Sequence, residues 1–541
     1  MRKHNINVKA TLAVFAIVLS ACSSDNDIVD NNSNNQEKPV TNKTMSFRAS
    51  MDGTTTRTDF NGNSTTWSED DAISILNTAS VPEETDRPTQ ADFTISEGVG
   101  TKEATFTGGP IRANGNNADN FYAFYPATTL STSNNTIKAS ASVPTVQTAI
   151  DGSYDQSLHF MSAYSTNSTF NFKNVCSLIK ITLTNNTSVC RVKVVANPTL
   201  TTMDAAEFTY TSITGNFDAT IGSDGTASVT ATDAKSTYVE LRANGDDSTA
   251  KTVIGDGTFY MVVLPATISN GFTLLLEKTD GTIYQRIGTK VTAFERNQMY
   301  DFGSFDCSGT PSGMTELTNV VDLDMPSGTL WATKNLNSSS ALLGLNATIT
   351  GFVDNETDDG EYFSWGKTHV TSALGATYAL PTLDNSNTTL KGAAEVVYSY
   401  NPLYCMPILA QIYELYNNIT DKSTISVQRP WSLLADRTRK CAKFTSPTGR
   451  SIALPYAGYY YAAGLRSTNS QARYWSRTYS RRKWELTREY YAYCLDLKIT
   501  NNVPEVDLHD GLIGADSWND KGEVGRSIRP VATNVQIAQI Y

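Results

Sequence analysis

The sequence predicts a mainly β protein built from several domains, and three observations predict it. Short apolar-polar runs separated by turn residues recur from Met45 to Asp306. Asn, Thr, Ser, Gly and Tyr are abundant and charged residues are only 18%, a composition suited to strands joined by polar turns. Helical periodicity is convincing once, in the stretch 407–416. A chain of 541 residues holds roughly two to four domains.

The first element is an export signal over residues 1–21. Arg2, Lys3 and Lys9 precede an apolar run ending at Leu19. That run is shorter than the ~20 apolar residues a spanning helix needs and fits a signal-peptide core. Leu19-Ser20-Ala21-Cys22 resembles the bacterial lipobox at all four positions. The resemblance implies cleavage before Cys22 and lipid on its thiol. Stable anchoring needs more than one acyl chain, which a triacylated cysteine supplies. The expected location is the outer membrane, as a surface-exposed lipoprotein. Residues 22–45, rich in Asn, Ser and Asp, read as a flexible tether. Asp25 and Asp27 resemble the acidic signal of Bacteroidetes surface lipoproteins. Losing residues 1–21 removes three positive charges and no acid, taking the net charge from -11 to about -14. So acidic a chain outside the cell argues against nucleic acid as a partner.

Two β-sandwiches are expected next, over residues 46–165 and 166–306. Ala72–Leu76, Phe121–Tyr125 and Phe259–Leu264 are typical strand runs. Phe272–Glu277 and Thr282–Ile287 flank Asp280-Gly281, a strong hairpin signal. Val175–Leu183 and Val189–Val195 read as a second hairpin around Asn185–Ser188. Its alternation sets Ile179, Ile181, Leu183, Cys190, Val192 and Val194 on one face and Cys176 on the other. A Cys176–Cys190 disulfide does not fit that hairpin, so both read as small buried apolar residues.

Several motifs in this region resemble the Bacteroidetes fimbrillins. They are Phe47-Arg48-Ala49, Thr56-Arg57-Thr58, Trp67 with Asp70–Ile73, and Phe121–Pro126. Phe160–Ala163, Phe170–Asn174, Tyr260–Pro265 and Phe294–Tyr300 continue the series in order. The resemblance implies two transthyretin-like β-sandwiches that build or cap surface pili, with other pilus subunits as partners. Some fimbrillins polymerise after a protease cuts past an arginine near the N-terminus and frees a groove for a partner's strand. Arg48 and Arg57 stand in the corresponding region.

Residues 307–320 contain Gly309, Pro311 and Gly313 and read as a linker. The helix at 407–416 places Ile408, Ile412 and Leu415 on one face, with Pro407 suited to its first turn. The region 321–541 resembles the Fibrobacter major paralogous domain. The matching landmarks are Asp324–Thr333, Gly360–Thr368, Met406-Pro407, Leu454–Tyr459, Tyr474-Trp475-Ser476, Tyr491-Ala492-Tyr493 and Ser527–Val531. Leu403–Pro407 departs from the usual Trp-Arg-Leu-Pro, and the basic stretch after Trp475 is long. The resemblance implies an α+β fold of the C-type-lectin or sulfatase-modifying-factor type.

Catalysis has little support, and the chain reads as a non-enzyme. His159, His369 and His509 are isolated and read as polar loop or surface residues. No nucleophile elbow, HExxH or phosphate loop occurs. Cys405, Cys441 and Cys494 do not match the reactive cysteine pair of the sulfatase-modifying relatives. No cofactor is expected. Binding has two candidate sites. Arg473, Trp475, Arg477, Arg481, Arg482, Lys483, Trp484 and Arg488 combine guanidinium forks with indole faces, which suits an anionic glycan. Trp518-Asn519-Asp520 resembles the calcium-binding Trp-Asn-Asp of C-type lectins, with Asn519 and Asp520 as candidate ligands and Asp507, Asp510 and Asp516 as companions. The lectins' partner motif is absent. The functional expectation is a pilus tip or accessory adhesin whose C-terminal region binds a glycan or protein on a surface. The alternatives are a stand-alone glycan-binding lipoprotein and a structural pilus subunit or anchor.

Overall fold

A computed structural model describes residues 44–51, 66–81, 86–114, 119–202, 207–245, 251–338, 349–363, 365, 396–419, 421–428, 438–461, 464–484, 487–515 and 526–532. Within these, only the backbone is described at 396, 460–461, 464, 466, 480–484, 487–490 and 508–515. Cys22, Arg57, His369, Asp516, Asn519 and Asp520 lie outside the described residues. The fold is mainly β, as expected.

Ten strands precede residue 175: β1 (Met45–Met51), β2 (Ala72–Asn77), β3 (Gln90–Glu97), β4 (Glu103–Gly108), β5 (Phe121–Tyr125), β6 (Leu130–Ser133), β7 (Thr136–Val143), β8 (Val146–Thr148), β9 (Met161–Ser165) and β10 (Thr169–Asn174). Seven of them close a barrel in the order β1-β10-β9-β5-β2-β3-β4. Closure rests on β1, which pairs parallel with β10 and antiparallel with β4. The core explains the sequence landmarks. Phe47 packs edge-on against Phe93 and Phe121, with ring centroids 5.0 and 5.1 Å apart. Trp67 meets Phe106 at 4.9 Å and Phe172 at 5.7 Å. Such edge-to-face pairs add roughly 0.5–1.5 kcal/mol each beyond area burial.

The division expected at 165–166 runs through the β9–β10 hairpin. Both strands are in the barrel, while β7 and β8 lie outside it and pair with strands after residue 175, and β6 pairs with β7. Composition does not register such an exchange of strands, because each strand alternates in the same way whichever sheet it joins.

Twelve strands follow: β11 (Ser177–Thr184), β12 (Val189–Ala196), β13 (Gly215–Ile221), β14 (Ala227–Ala231), β15 (Tyr238–Arg242), β16 (Gly257–Val263), β17 (Ala266–Ile268), β18 (Phe272–Lys278), β19 (Ile283–Ile287), β20 (Thr292–Phe294), β21 (Met299–Asp306) and β22 (Thr315–Leu317). A six-stranded sheet, β22-β19-β18-β12-β15-β8, faces the three-stranded β16-β11-β21. Ile179, Ile181, Leu183, Val192, Val194 and Met261 share the core between them. The sheet β14-β13-β7-β6 covers the other side, where Tyr260 and Val262 join Phe217 and Ile137. β16 is therefore buried on both faces, which is why its sequence is a continuous apolar run.

β18 and β19 form the expected hairpin. Val175–Leu183 and Val189–Val195 do not. β11 pairs with β16 and β21, and β12 with β15 and β18. The turn between them carries the chain from one sheet across to the other. Their apolar faces still meet, but across the core rather than side by side. Cys176, Cys190, Cys307, Cys405, Cys441 and Cys494 are all buried, and Cys176 and Cys190 are not bridged to each other. Burial pushes the Cys307 thiol up to about 11.

The expected linker is packed structure. Cys307, Met314 and Leu317 are buried, and β22 extends the six-stranded sheet beyond β19. The following region is again mainly β, with short strands at Val320–Asp322 and Leu330–Ala332 and three-stranded antiparallel sheets over 421–455 and 471–515. Its longer helix, Leu409–Asn418, starts two residues later than expected, with Ile408 as N-cap and Pro407 just outside. Ile412 and Leu415 face the core.

Candidate functional site

The outer face of β12 carries a cluster of buried charge. Val192 and Val194 point into the sandwich core. Arg191 and Lys193 alternate with them on the opposite face, where charged side chains ordinarily meet solvent. Instead they are buried, at 3% and 0% exposure, together with Glu240 of β15 and Asp322. The C-terminal region lies over this face and supplies Asp322, Asp324 and Arg450.

The contacts form a network. Arg191 Nη1 donates to Asp322 Oδ2 at 2.7 Å and to Glu240 Oε2 at 3.1 Å, while its Nε reaches Glu277 Oε2 at 2.7 Å. Lys193 Nζ donates to Asp322 Oδ2 at 2.7 Å and lies 3.8 Å from the centroid of the Tyr238 ring. Arg450 Nη1 donates to Asp324 Oδ1 at 2.9 Å. Burial alone would raise the Asp322 carboxyl, but Lys193, Arg191 and Arg450 outweigh it and hold it far below the usual carboxylate range. Burial is likewise overcome at Asp324, by Lys193 and Arg450, and at Glu240, by Arg191 and Lys193. Coulomb attraction at these separations in a poorly hydrated seam offsets the desolvation cost.

A second contact zone involves Glu414 of the helix. It accepts from the Ser327 backbone N–H at 2.7 Å, the Ser327 hydroxyl at 2.5 Å and the Tyr210 hydroxyl at 2.8 Å. Burial raises the Glu414 carboxyl to about 7, against these hydrogen bonds and the distant Lys193 charge, which lower it. Phe208 packs beside it on Ile408 and Ala410. Between the charged network and solvent lies a cleft of about 480 Å³, lined by residues of the sandwich and of the C-terminal region, Arg242, Lys251 and Arg450 among them.

The basic stretch expected to bind glycan is not one surface. Trp475 is 2% exposed, donates to the Phe363 carbonyl at 2.7 Å and lies beneath the Arg526 guanidinium at 3.9 Å. Arg477 is fully buried. Both are corrected to core residues: β-alternation and a bulge between Trp475 and Tyr479 turn them inward. Arg473 is half-buried, with Nε 3.2 Å from Asp496 Oδ2 and its guanidinium over the Tyr459 ring. Arg481, Arg482, Lys483, Trp484 and Arg488 stand at the tip of the hairpin formed by Gln471–Trp484 and Thr487–Thr500, Arg482 opposite Glu489 and Lys483 opposite Arg488. Their side chains are outside the described residues. The landmarks Trp331, Tyr474 and Arg529 are also buried; Arg529 binds Asn335 Oδ1 at 2.8 Å and the Ala453 carbonyl at 2.7 Å. The motif residues of this region thus build its core.

Arg48 is exposed in the middle of β1, which is paired on both sides. His159 is buried rather than at the surface; its Nε2 lies 2.8 Å from Asn174 Oδ1 and burial lowers its pKa. Asp507 is exposed. Among the described residues no group of three His, Cys, Asp or Glu side chains is placed to hold a metal. No helix among them is long and apolar enough to cross a membrane.

Residues 54–303 match the model of the Fimbrillin-like family. That part of the chain is similar to the fimbrillins. The match covers most of the barrel and the second sandwich. Three solved structures show likeness. A "putative cell adhesion protein" from Bacteroides uniformis is 16% identical, over 50% of this chain and 96% of its own, with a TM-score of 0.32. One from Bacteroides ovatus is 15% identical, over 51% and 95%, with a TM-score of 0.31. The tip fimbrial protein Mfa3 from Porphyromonas gingivalis, with a C-terminal truncation, is 10% identical over 51% and 97%, with a TM-score of 0.26. No curated protein matches the chain.

Sequence reasoning missed the charged network and Glu414. One signal was present: Arg191 and Lys193 are matched by Asp322 and Asp324, another pair spaced two apart. Nothing local tells such pairs from solvated charges.

Proposed function

We propose that the chain is a fimbrillin family member, displayed on the cell surface as a lipoprotein and acting as a pilus tip or accessory adhesin. The observation that carries this reading is a fimbrillin-like segment whose last sheet is overlaid by a further folded region. A stalk subunit would need the strand after its second sandwich free for donation to a neighbour. Here Thr315–Leu317 completes the sheet and Asp322 and Asp324 are locked beneath it. That suits a terminal or accessory position, with the C-terminal region, of lectin-like type, presented outward.

Cys22 carries the lipid in this reading, and the hairpin tip at Arg481, Arg482, Lys483, Trp484 and Arg488 contacts an anionic glycan. Processing after Arg57 is favoured over Arg48, because the Arg48 peptide lies inside a strand paired on both edges. Either cut would allow loss of β1 residues, withdrawing Phe47 from the barrel and leaving β4 and β10 open to a partner's strand.

Gold-labelled antibody against residues 438–500, applied to intact cells, should mark the surface and the ends of fimbriae. Labelling only after the outer membrane is permeabilised would refute surface display. Labelling along the whole fibre would refute the terminal role. Replacing Arg481, Arg482 and Lys483 by Ser should abolish retention on a heparin column, and unchanged retention removes the hairpin tip as the contact.

A further inference from the structure

The cleft at the seam is open to solvent, and its volume of about 480 Å³ lies within the ~300–1,000 Å³ common for small-molecule sites, which favour domain junctions. Among the described residues its lining is cationic on balance. Of the network's charges, Arg191, Arg242, Arg450 and Glu277 line the cleft, whereas Glu240, Asp322 and Asp324 are not part of its lining. Lys251 stands at the rim with its side chain half exposed.

Three of these cations have donors to spare. Arg242 gives Nε to Glu240 Oε1 at 2.5 Å, but its Nη2 has no acceptor among the described residues, although the residue is only 6% exposed. Arg450 uses Nη1 on Asp324, and the Glu240 carboxylate is 3.8 Å from its Nη2. Lys251 has Glu277 at 3.9 Å, outside hydrogen-bond range. The two acids among the described lining residues are themselves paired: Glu277 accepts from Arg191 and stands 3.9 Å from Lys251, and exposed Asp280 lies 3.6 Å from Lys278. Hydroxyls of Thr282, Thr318, Thr333 and Ser451 complete the wall.

The geometry points to this cleft as a binding site for an acidic sugar residue, its carboxylate or sulfate held by Arg242, Lys251 and Arg450 and its hydroxyls by the Thr and Ser side chains. Guanidinium forks match a planar carboxylate or a sulfate edge. Among the described residues the lining has no large exposed aromatic ring, so recognition comes from charge and hydroxyl bonding rather than stacking. The site deepens the adhesin reading by naming a ligand class, but it is separate from the hairpin tip.

The test is calorimetric titration of the purified full chain, in low salt, with glucuronate, glucose and acetate in turn. Glucuronate should bind with a Kd near or below ~1 mM, and glucose and acetate at least ~10-fold more weakly. Lys251→Gln, at a half-exposed position, should weaken glucuronate about 10-fold with the melting temperature unchanged, a loss of ~1.4 kcal/mol. Lys180→Gln, on β11 and outside the cleft lining, should leave it untouched. No binding of glucuronate at ~10 mM overturns the site without touching surface display. Equal binding of acetate overturns the sugar assignment. Loss only when Arg481, Arg482 and Lys483 are replaced by Ser moves the ligand to the hairpin tip and overturns the cleft.

Discussion

Lys193 has no exposed surface and two aspartates within 4 Å, so its ammonium and the Asp322 carboxylate depend on each other. Breaking a buried pair from one side costs about 3–5 kcal/mol, because the remaining charge stays buried and unmatched. Asp322→Ala should lower stability by that amount in urea unfolding; a loss below about 1 kcal/mol would place the pair with weak surface bridges. Asp322, Asp324 and Glu240 have folded pKa values below their ordinary ones. Their stabilisation is present above the ordinary carboxylate range and is lost as pH falls below it. Glu414 has the opposite sign. Its carboxyl is raised from 4.5 to about 7, so the folded state holds the proton more tightly and stability falls as pH rises from 4.5 to 7. His159, whose pKa burial lowers, opposes this by losing stability as pH drops below its ordinary 6.5. Subtracting variant from parent isolates Glu414. Glu414→Gln should gain stability relative to the parent between pH 5 and pH 8, by up to roughly 3 kcal/mol, in chemical unfolding at the two pH values. A pH-independent difference would show that Glu414 does not titrate there. Neither Lys193 nor Glu414 was legible as special in the sequence, since each sits in an ordinary amphipathic pattern and becomes buried only through a segment more than a hundred positions away or on another element.

At the scale of elements, alternation named strands well and partners poorly. Asp280-Gly281 marked the β18–β19 hairpin because a short turn with glycine at a positive φ sets the register; the loop is Thr279–Gly281, closed by Lys278 N–H donating to the Thr282 carbonyl, with Gly281 at φ +89. Asn185–Ser188 looked similar, yet it bridges two sheets, and period-2 alternation is identical in either arrangement. The aromatic landmarks were legible as core: Phe47, Trp67 and Phe121 all reach the barrel interior. Phe47→Ala should therefore cost about 3–5 kcal/mol, read as a lowered denaturation midpoint. A smaller loss would mean that β1 contributes little to barrel closure. Gly328 does a different job. Its φ is +72, and a Cβ there would come 3.1 Å from Val195 of β12. Gly328→Val should cost at least ~1–3 kcal/mol and weaken the fit over the six-stranded sheet. An unaltered midpoint would contradict so close an approach.

For the molecule as a whole, composition and motif order carried the mainly β class and the fimbrillin-like stretch. They did not carry the mounting of the C-terminal region, because residues 307–320 have a linker's composition while Cys307, Met314 and Leu317 have core positions. Leu275 and Ile283 of the sandwich even share a core with Leu317, Leu330 and Trp475. The C-terminal region is therefore joined to the sandwich through a shared core and not through a free linker. Hydrogen exchange read by mass spectrometry on the full chain tests this most directly. Peptides from β12 and β18 and from residues 320–332 and 438–455 should lose protection together, in one cooperative step with denaturant, and Asp322→Ala should shift them together. Exchange of the C-terminal peptides at a lower denaturant concentration, with β12 and β18 unchanged, would contradict the account.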